Sequence, residues 1–145
     1  MTSDEVVISY TPDEIKHLEF VQAVVARLGN GSFLIKGWTV TVSGVFFGVL
    51  VNHLSWKLAA AGLIPVLGFW LLDSYYLRQE RLFRKLYDEV RGRTAGVPPF
   101  SMNVQPYLAG VSWRRVALSR TMVNFYGIIA SIDLAFIAGT VLAVP

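Results

Sequence analysis

Three ionisable residues stand where an apolar chain should least tolerate them. Lys36, Asp73 and Asp133 each fall inside, or one turn from the end of, a long run of hydrophobic residues. An acid or base in such surroundings can pair with an opposite charge, accept hydrogen bonds, reach for the headgroups or face a water-filled path, and it is rarely idle. The remaining titratable groups promise less. His17 and His53 are isolated, and a lone His is more often a satisfied side chain than a ligand. Glu14, Glu19, Asp88 and Glu89 offer a carboxylate cluster on paper, but solvated helix faces explain them better. The chain contains no phosphate loop, no metal-ligand spacing and no nucleophile motif, and its lack of cysteine excludes disulfides, thiolate metal sites and Cys nucleophiles. No catalytic, cofactor-binding or metal-binding residue emerges, so a non-enzymatic protein without a cofactor is expected.

The elements that carry the three charges are long and apolar. Residues 33–51 read FLIKGWTVTVSGVFFGVLV and residues 57–77 read KLAAAGLIPVLGFWLLDSYYL, joined by a short polar hinge at 52–56. Residues 121–144 form a third such run. Each has about the 20 residues that a helix needs to cross the hydrocarbon layer. Across all 145 residues 54% are hydrophobic and 16% charged, against about 25% charged in soluble domains. An all-α membrane protein of one domain with three transmembrane helices is therefore expected. In the first, Lys36 is placed to snorkel to the interface. In the second, Pro65 between Gly62 and Gly68 predicts a kink, and Asp73 either sits at the interface or meets a buried partner such as Lys36.

Outside the spans the pattern changes. Thr11-Pro12-Asp13-Glu14 fits a capping box, and the apolar spacing after it predicts an amphipathic helix over 12–29, ended by Gly29-Asn30-Gly31, with Ser32 capping the first span. The second span should continue without interruption as a polar helix to residue 91, where Gly92 closes it; the amphipathic helix is its natural packing partner. Residues 93–119, punctuated by Gly96, Pro98, Pro99 and Pro106, read as a linker too apolar to float free. Trp113-Arg114-Arg115 and Arg120 look like an interfacial anchor. Residues 1–10 are acidic, and without a basic start before an apolar core no secretory signal is expected there.

Charge placement gives a topology. Nine Lys or Arg lie between Arg78 and Arg120, and the hinge at 52–56 has none. The positive-inside rule then puts the N-terminus and the middle segment in the cytosol and the C-terminus outside. That accounts for most of the net charge of +3, so nucleic acid is not an expected partner; the lipid bilayer is. Two strips of small residues mark candidate contact faces. One is Gly37, Thr41, Gly44 and Gly48 on the first span; the other, more regular, is Gly127, Ser131, Ala135 and Gly139 on the third. Either the strips pack the bundle internally or they meet a second copy, making a homo-oligomer.

Asp133 lies about 18 Å from either end of its helix, too deep for so short a side chain to snorkel. It can stay neutral, accept hydrogen bonds from Thr39, Thr41 or Ser43, or face a water path between subunits. By the helical repeat it points about 160° away from the centre of the ladder, so ladder and acid need two different surfaces.

Four patches, Ser32-Phe33-Leu34-Ile35-Lys36-Gly37-Trp38, Phe69 to Leu77 (FWLLDSYYL), Leu82 to Arg91 (LFRKLYDEVR) and Phe100-Ser101-Met102-Asn103, resemble an uncharacterised family of small bacterial inner-membrane proteins. The likeness covers about residues 14–145. It implies a bacterial inner membrane, three spans and a genomic setting among mobile elements and antiviral defence modules, and it carries over no catalytic residue. Three functions remain open: a self-associating, pore-forming membrane effector that perturbs the bilayer; a membrane anchor or scaffold for a cytosolic partner protein; and a transporter-like or lipid-handling subunit.

Overall fold

A computed structural model describes residues 10–53, 55–93 and 96–142. The expectations for residues 1–9 lie outside that range. The described residues are helical, with no strand among them. Helix α1 runs from Pro12 to Asn52 and α2 from Trp56 to Arg91. A 3-10 helix over Gln105–Gly110 and a short α3 over Trp113–Ala117 follow, and α4 runs from Arg120 to Leu142. α1, α2 and α4 are each long and apolar enough to cross a membrane.

α1 overturns one expected boundary. It starts on the expected capping box: the Thr11 hydroxyl accepts from the Glu14 N–H at 3.2 Å, and the Glu14 carboxylate accepts from the Thr11 N–H at 2.7 Å. It does not stop at Gly29-Asn30-Gly31, however, and residues 12–29 are the first half of a single helix of 41 residues, about 60 Å long. The glycines serve packing instead of termination. A methyl group at Gly31 would stand 2.6 Å from ring carbons of Tyr76 on α2, and one at Gly29 would touch Glu80. The missing side chains let α1 approach α2 closely, and the van der Waals packing along that face outweighs the roughly 1 kcal/mol that each helical Gly costs relative to Ala. Ser32 is likewise no cap; it is buried.

α2 is the helix on which the others assemble. It continues unbroken past residue 77 to Arg91 and closes at Gly92, as the charge pattern predicts. It is also helical on both sides of Pro65. α1 packs along its length, α4 packs on its spanning half, and α4 touches α1 little. The segment after α2 folds back: Val104, Tyr107, Val111 and Val116 pack on Leu82, Leu86 and neighbouring residues of its polar half. Hydrogen bonds pin this segment, Arg78 Nε donating to the Val111 carbonyl at 2.9 Å and Trp70 Nε1 to the Ala117 carbonyl at 3.1 Å. The far end is pinned by His17, whose Nε2 lies 2.8 Å from the Ser101 carbonyl, and by Arg93, 2.9 Å from Glu14. Burial, with Glu89 adding its charge, raises the Tyr107 phenol above its ordinary range.

The apolar half of the bundle exposes large hydrophobic side chains, unlike a soluble bundle. Phe33 is 77% exposed and Ile64 71%, whereas Thr39, Ser43, Asp73, Ser74 and Asp133 are buried. Many large apolar side chains face outward, as suits lipid as solvent, while the interior combines the apolar cluster of Val66, Met122, Tyr126 and Ile129 with these buried polar groups.

Gly31→Ala is expected to destabilise the protein in detergent by about 1 kcal/mol, overpacking against Tyr76 exceeding the helix-propensity gain. Gly37→Ala, where a methyl group meets nothing within 4 Å, should leave the thermal midpoint unchanged or raise it. Equal midpoints for the two variants would contradict the α1–α2 packing described.

Candidate functional site

The site grows out of Asp73. One turn before the polar half of α2 begins, its side chain is fully buried at the junction of three helices. Ser32 Oγ donates to Oδ1 at 2.5 Å, Lys36 Nζ to Oδ2 at 2.6 Å and the Tyr126 hydroxyl to Oδ2 at 3.0 Å. Ser32 and Lys36 lie four residues apart on α1, one turn of one face, and Nζ also reaches Ser32 Oγ at 2.9 Å. Tyr126 comes from α4 and further approaches the Phe69 carbonyl at 3.3 Å. Thus α1 supplies a cation and a hydroxyl, α4 a phenol, and α2 the carboxylate that binds them. Of the two environments open to Asp73, the buried one with Lys36 is realised. Lys36 does not snorkel to the headgroups: its ammonium is turned inward and its side chain is 21% exposed. Burying two charges costs several kcal/mol each, so the pair is sustained only because the remaining donors and acceptors are met as well.

Asp133 is the contrasting acid. It too is buried, at 1% exposed, yet neither carboxylate oxygen has a hydrogen-bond partner among the described residues, and neither does Ser43 Oγ. The three hydroxyls weighed as donors go elsewhere or stay unpaired: Thr39 donates to the Ile35 carbonyl at 2.8 Å and Thr41 to the Gly37 carbonyl at 3.0 Å. What Asp133 meets is Gly62 of α2, where an added methyl group would stand 3.1 Å from Oδ1 and 3.5 Å from the Phe46 ring of α1. Gly62, notable in the sequence only for its place near Pro65, is the notch that admits this acid. Asp133 faces the interior of its own bundle. It lies seven residues beyond Tyr126 and seven before Thr140, all three buried on one face of α4.

The two small-residue strips point the other way. Methyl groups built at Gly37, Gly44, Gly48, Gly127 or Gly139 meet nothing within 4 Å, and Thr41, Ser131 and Ala135 are exposed. Neither strip packs the bundle internally. On α4 the strip floors an open groove walled by Val123, Ile128, Ile132 and Phe136. The separation of acid and ladder onto two faces is as the helical repeat requires.

Sequence reasoning missed Tyr126 and Ser32 as partners of Asp73. The heptad Tyr126–Asp133–Thr140 was a usable signal for the first; the second was masked by the helix stop read into the glycines. No group of three or more His, Cys, Asp or Glu side chains that could hold a metal occurs among the described residues. None of the family models, curated proteins or solved structures compared with the chain matches it.

Lys36→Met leaves the Asp73 carboxylate buried with only hydroxyl donors and is expected to cost about 3–5 kcal/mol. The double variant Lys36→Met/Asp73→Asn should recover a large part of that loss. Unfolding in detergent measures both; additive losses would mean that the two side chains do not interact.

Proposed function

We propose that this is a small, non-enzymatic integral membrane protein that self-associates through its glycine-lined faces and acts on the bilayer itself. The observation that carries the reading is the open groove over Gly127, Ser131, Ala135 and Gly139. In lipid, helix association relies on close backbone approach, and a long small-residue strip left unused by the bundle is suited to a second copy. The strip on α1 offers a second such face, so each subunit can meet two neighbours. Asp133, held without a partner at a cost in stability, gives the assembled spans a polar group at mid-depth, and such residues tend to be kept for function.

The excess of Lys and Arg between Arg78 and Arg120 supports a cytosolic placement of the polar half and the N-terminus, and a bacterial inner membrane fits the family resemblance, on which a role in antiviral defence also rests. A membrane anchor for a cytosolic protein is the second reading. It is favoured by Ile15, Phe20 and Phe100, which stay half-exposed at the end of the polar half, with the Phe20 and Phe100 rings 6.2 Å apart.

Expression of the wild-type chain should depolarise cells, and the purified protein should run as an oligomer. Gly127→Leu and Gly139→Leu are expected to insert normally while shifting the oligomer toward the monomer and reducing depolarisation at least tenfold. Asp133→Asn should insert and assemble yet lose depolarisation. Unchanged oligomer size in both leucine variants removes the ladder as an interface. A stoichiometric soluble partner recovered without any depolarisation supports the anchor instead.

A further inference from the structure

Where α2 leaves the apolar run, a recess of cations opens on its side. Arg81 and Lys85 of α2 and Arg115 of α3 line it, and the chain from Gly110 to Ser112 closes it. Arg84, also on its wall, is engaged by Glu80 at 2.7 Å. No ion pair holds Arg81, Lys85 or Arg115 among the described residues, although carboxylates sit on the same helix. Like charges are thus gathered around one hollow without the counter-charge that would normally offset their repulsion. The Lys85 ammonium lies against the bare backbone of Gly110: a methyl group there would stand 2.5 Å from Nζ and turn this flexible side chain aside.

Its height along the molecule says what it meets. The apolar run ends at residue 77; along the helix Arg81 lies about 6 Å beyond that point and Lys85 about 12 Å, from where its long side chain reaches back toward the headgroups. The headgroup layer on each side of the hydrocarbon is about 5–8 Å thick. Trp70 and Arg78 fasten α3 and the preceding turn at this level, and beside Arg115 the side chain of Leu118 stays 64% exposed, as suits a residue dipping into acyl chains. A recess with three cations outside any ion pair among the described residues, starting at headgroup height, is matched by one abundant ligand: the phosphate of an anionic lipid, its tails running down past Leu118.

We infer that Arg81, Lys85 and Arg115 form a binding site for the phosphate headgroup of an anionic phospholipid. The inference rests on the spans lying in a bilayer but not on self-association, and it holds whether or not the subunits assemble.

The full-length protein is released from nanodiscs containing equal phosphatidylglycerol and phosphatidylcholine, and the lipid it retains is counted by native mass spectrometry. The wild type is expected to keep phosphatidylglycerol in preference. Arg81→Gln/Lys85→Gln/Arg115→Gln should lose roughly a hundredfold in that preference, about fivefold for each charge removed near a membrane surface. Lys16→Gln/Arg91→Gln, two exposed cations remote from the spans, should retain it. Gly110→Ala keeps every charge but displaces the Lys85 ammonium, and is expected to weaken retention severalfold with the thermal midpoint unchanged. Wild-type retention in Gly110→Ala, or equal losses in the triple and control variants, would reduce the effect to diffuse surface charge and overturn the site. Inorganic phosphate that binds the delipidated protein, with no preference between the two lipids, would assign the recess to a soluble anion and also overturn it.

Discussion

A carboxylate buried at the meeting point of three helices must be satisfied by those helices or it will drive them apart. Asp73 is satisfied from both sides, by Ser32 and Lys36 of α1 and by Tyr126 of α4. This demand fixes more than one contact. It sets the register of α1 against α2, so that Gly31 and Gly29 fall opposite Tyr76 and Glu80. It also sets the depth of α4, so that Asp133, two turns further along the inner face, arrives at Gly62. Apolar surfaces in lipid slide past one another at little cost, because lipid tails are as apolar as the side chains. A directional polar tie is what gives such a bundle a single arrangement.

Much of this was legible in the sequence, for identifiable reasons. Three apolar runs of bilayer length announce three long helices, and the unbroken pattern from residue 57 to 91 announces a helix that outlasts its apolar part. The capping box at Thr11 and Glu14 reads correctly because its chemistry is local. The turn of Asp133 away from the ladder follows from helical periodicity alone. Gly29-Asn30-Gly31 misled because the same residues that end a helix in water also permit close helix packing, and only the presence of Tyr76 opposite decides between the two. Lys36 misled because snorkelling is the default for a lone cation, and the partner that cancels the default sits 37 residues away. The fate of the two strips could not be read at all, since small residues look alike whether they face a neighbour in the bundle or an open surface.

The result is a bundle with an apolar exterior, polar groups buried beside its apolar core, and its two acids in opposite conditions. Asp73 is fully paired near the end of the apolar run and holds the helices together. Asp133, deeper, is unpaired and contributes nothing to stability that an apolar residue could not supply. The ladders face away from both. The surfaces are therefore separate: the inner face specifies the fold, the outer face carries the ladders, and the basic recess lies where the apolar run ends; the proposed self-association and headgroup binding use the latter two.

That separation of faces is the central claim, and a pair of single-cysteine variants tests it most directly, because the chain has no cysteine of its own. Ser131 lies on the outer ladder and Ser43 on the inner face, each near the middle of its apolar run. Under oxidation in intact membranes, Ser131→Cys is expected to form a disulfide-linked dimer and Ser43→Cys to stay monomeric. Cross-linking from Ser43→Cys, with none from Ser131→Cys, would contradict the account by placing the polar face outward and the ladder within.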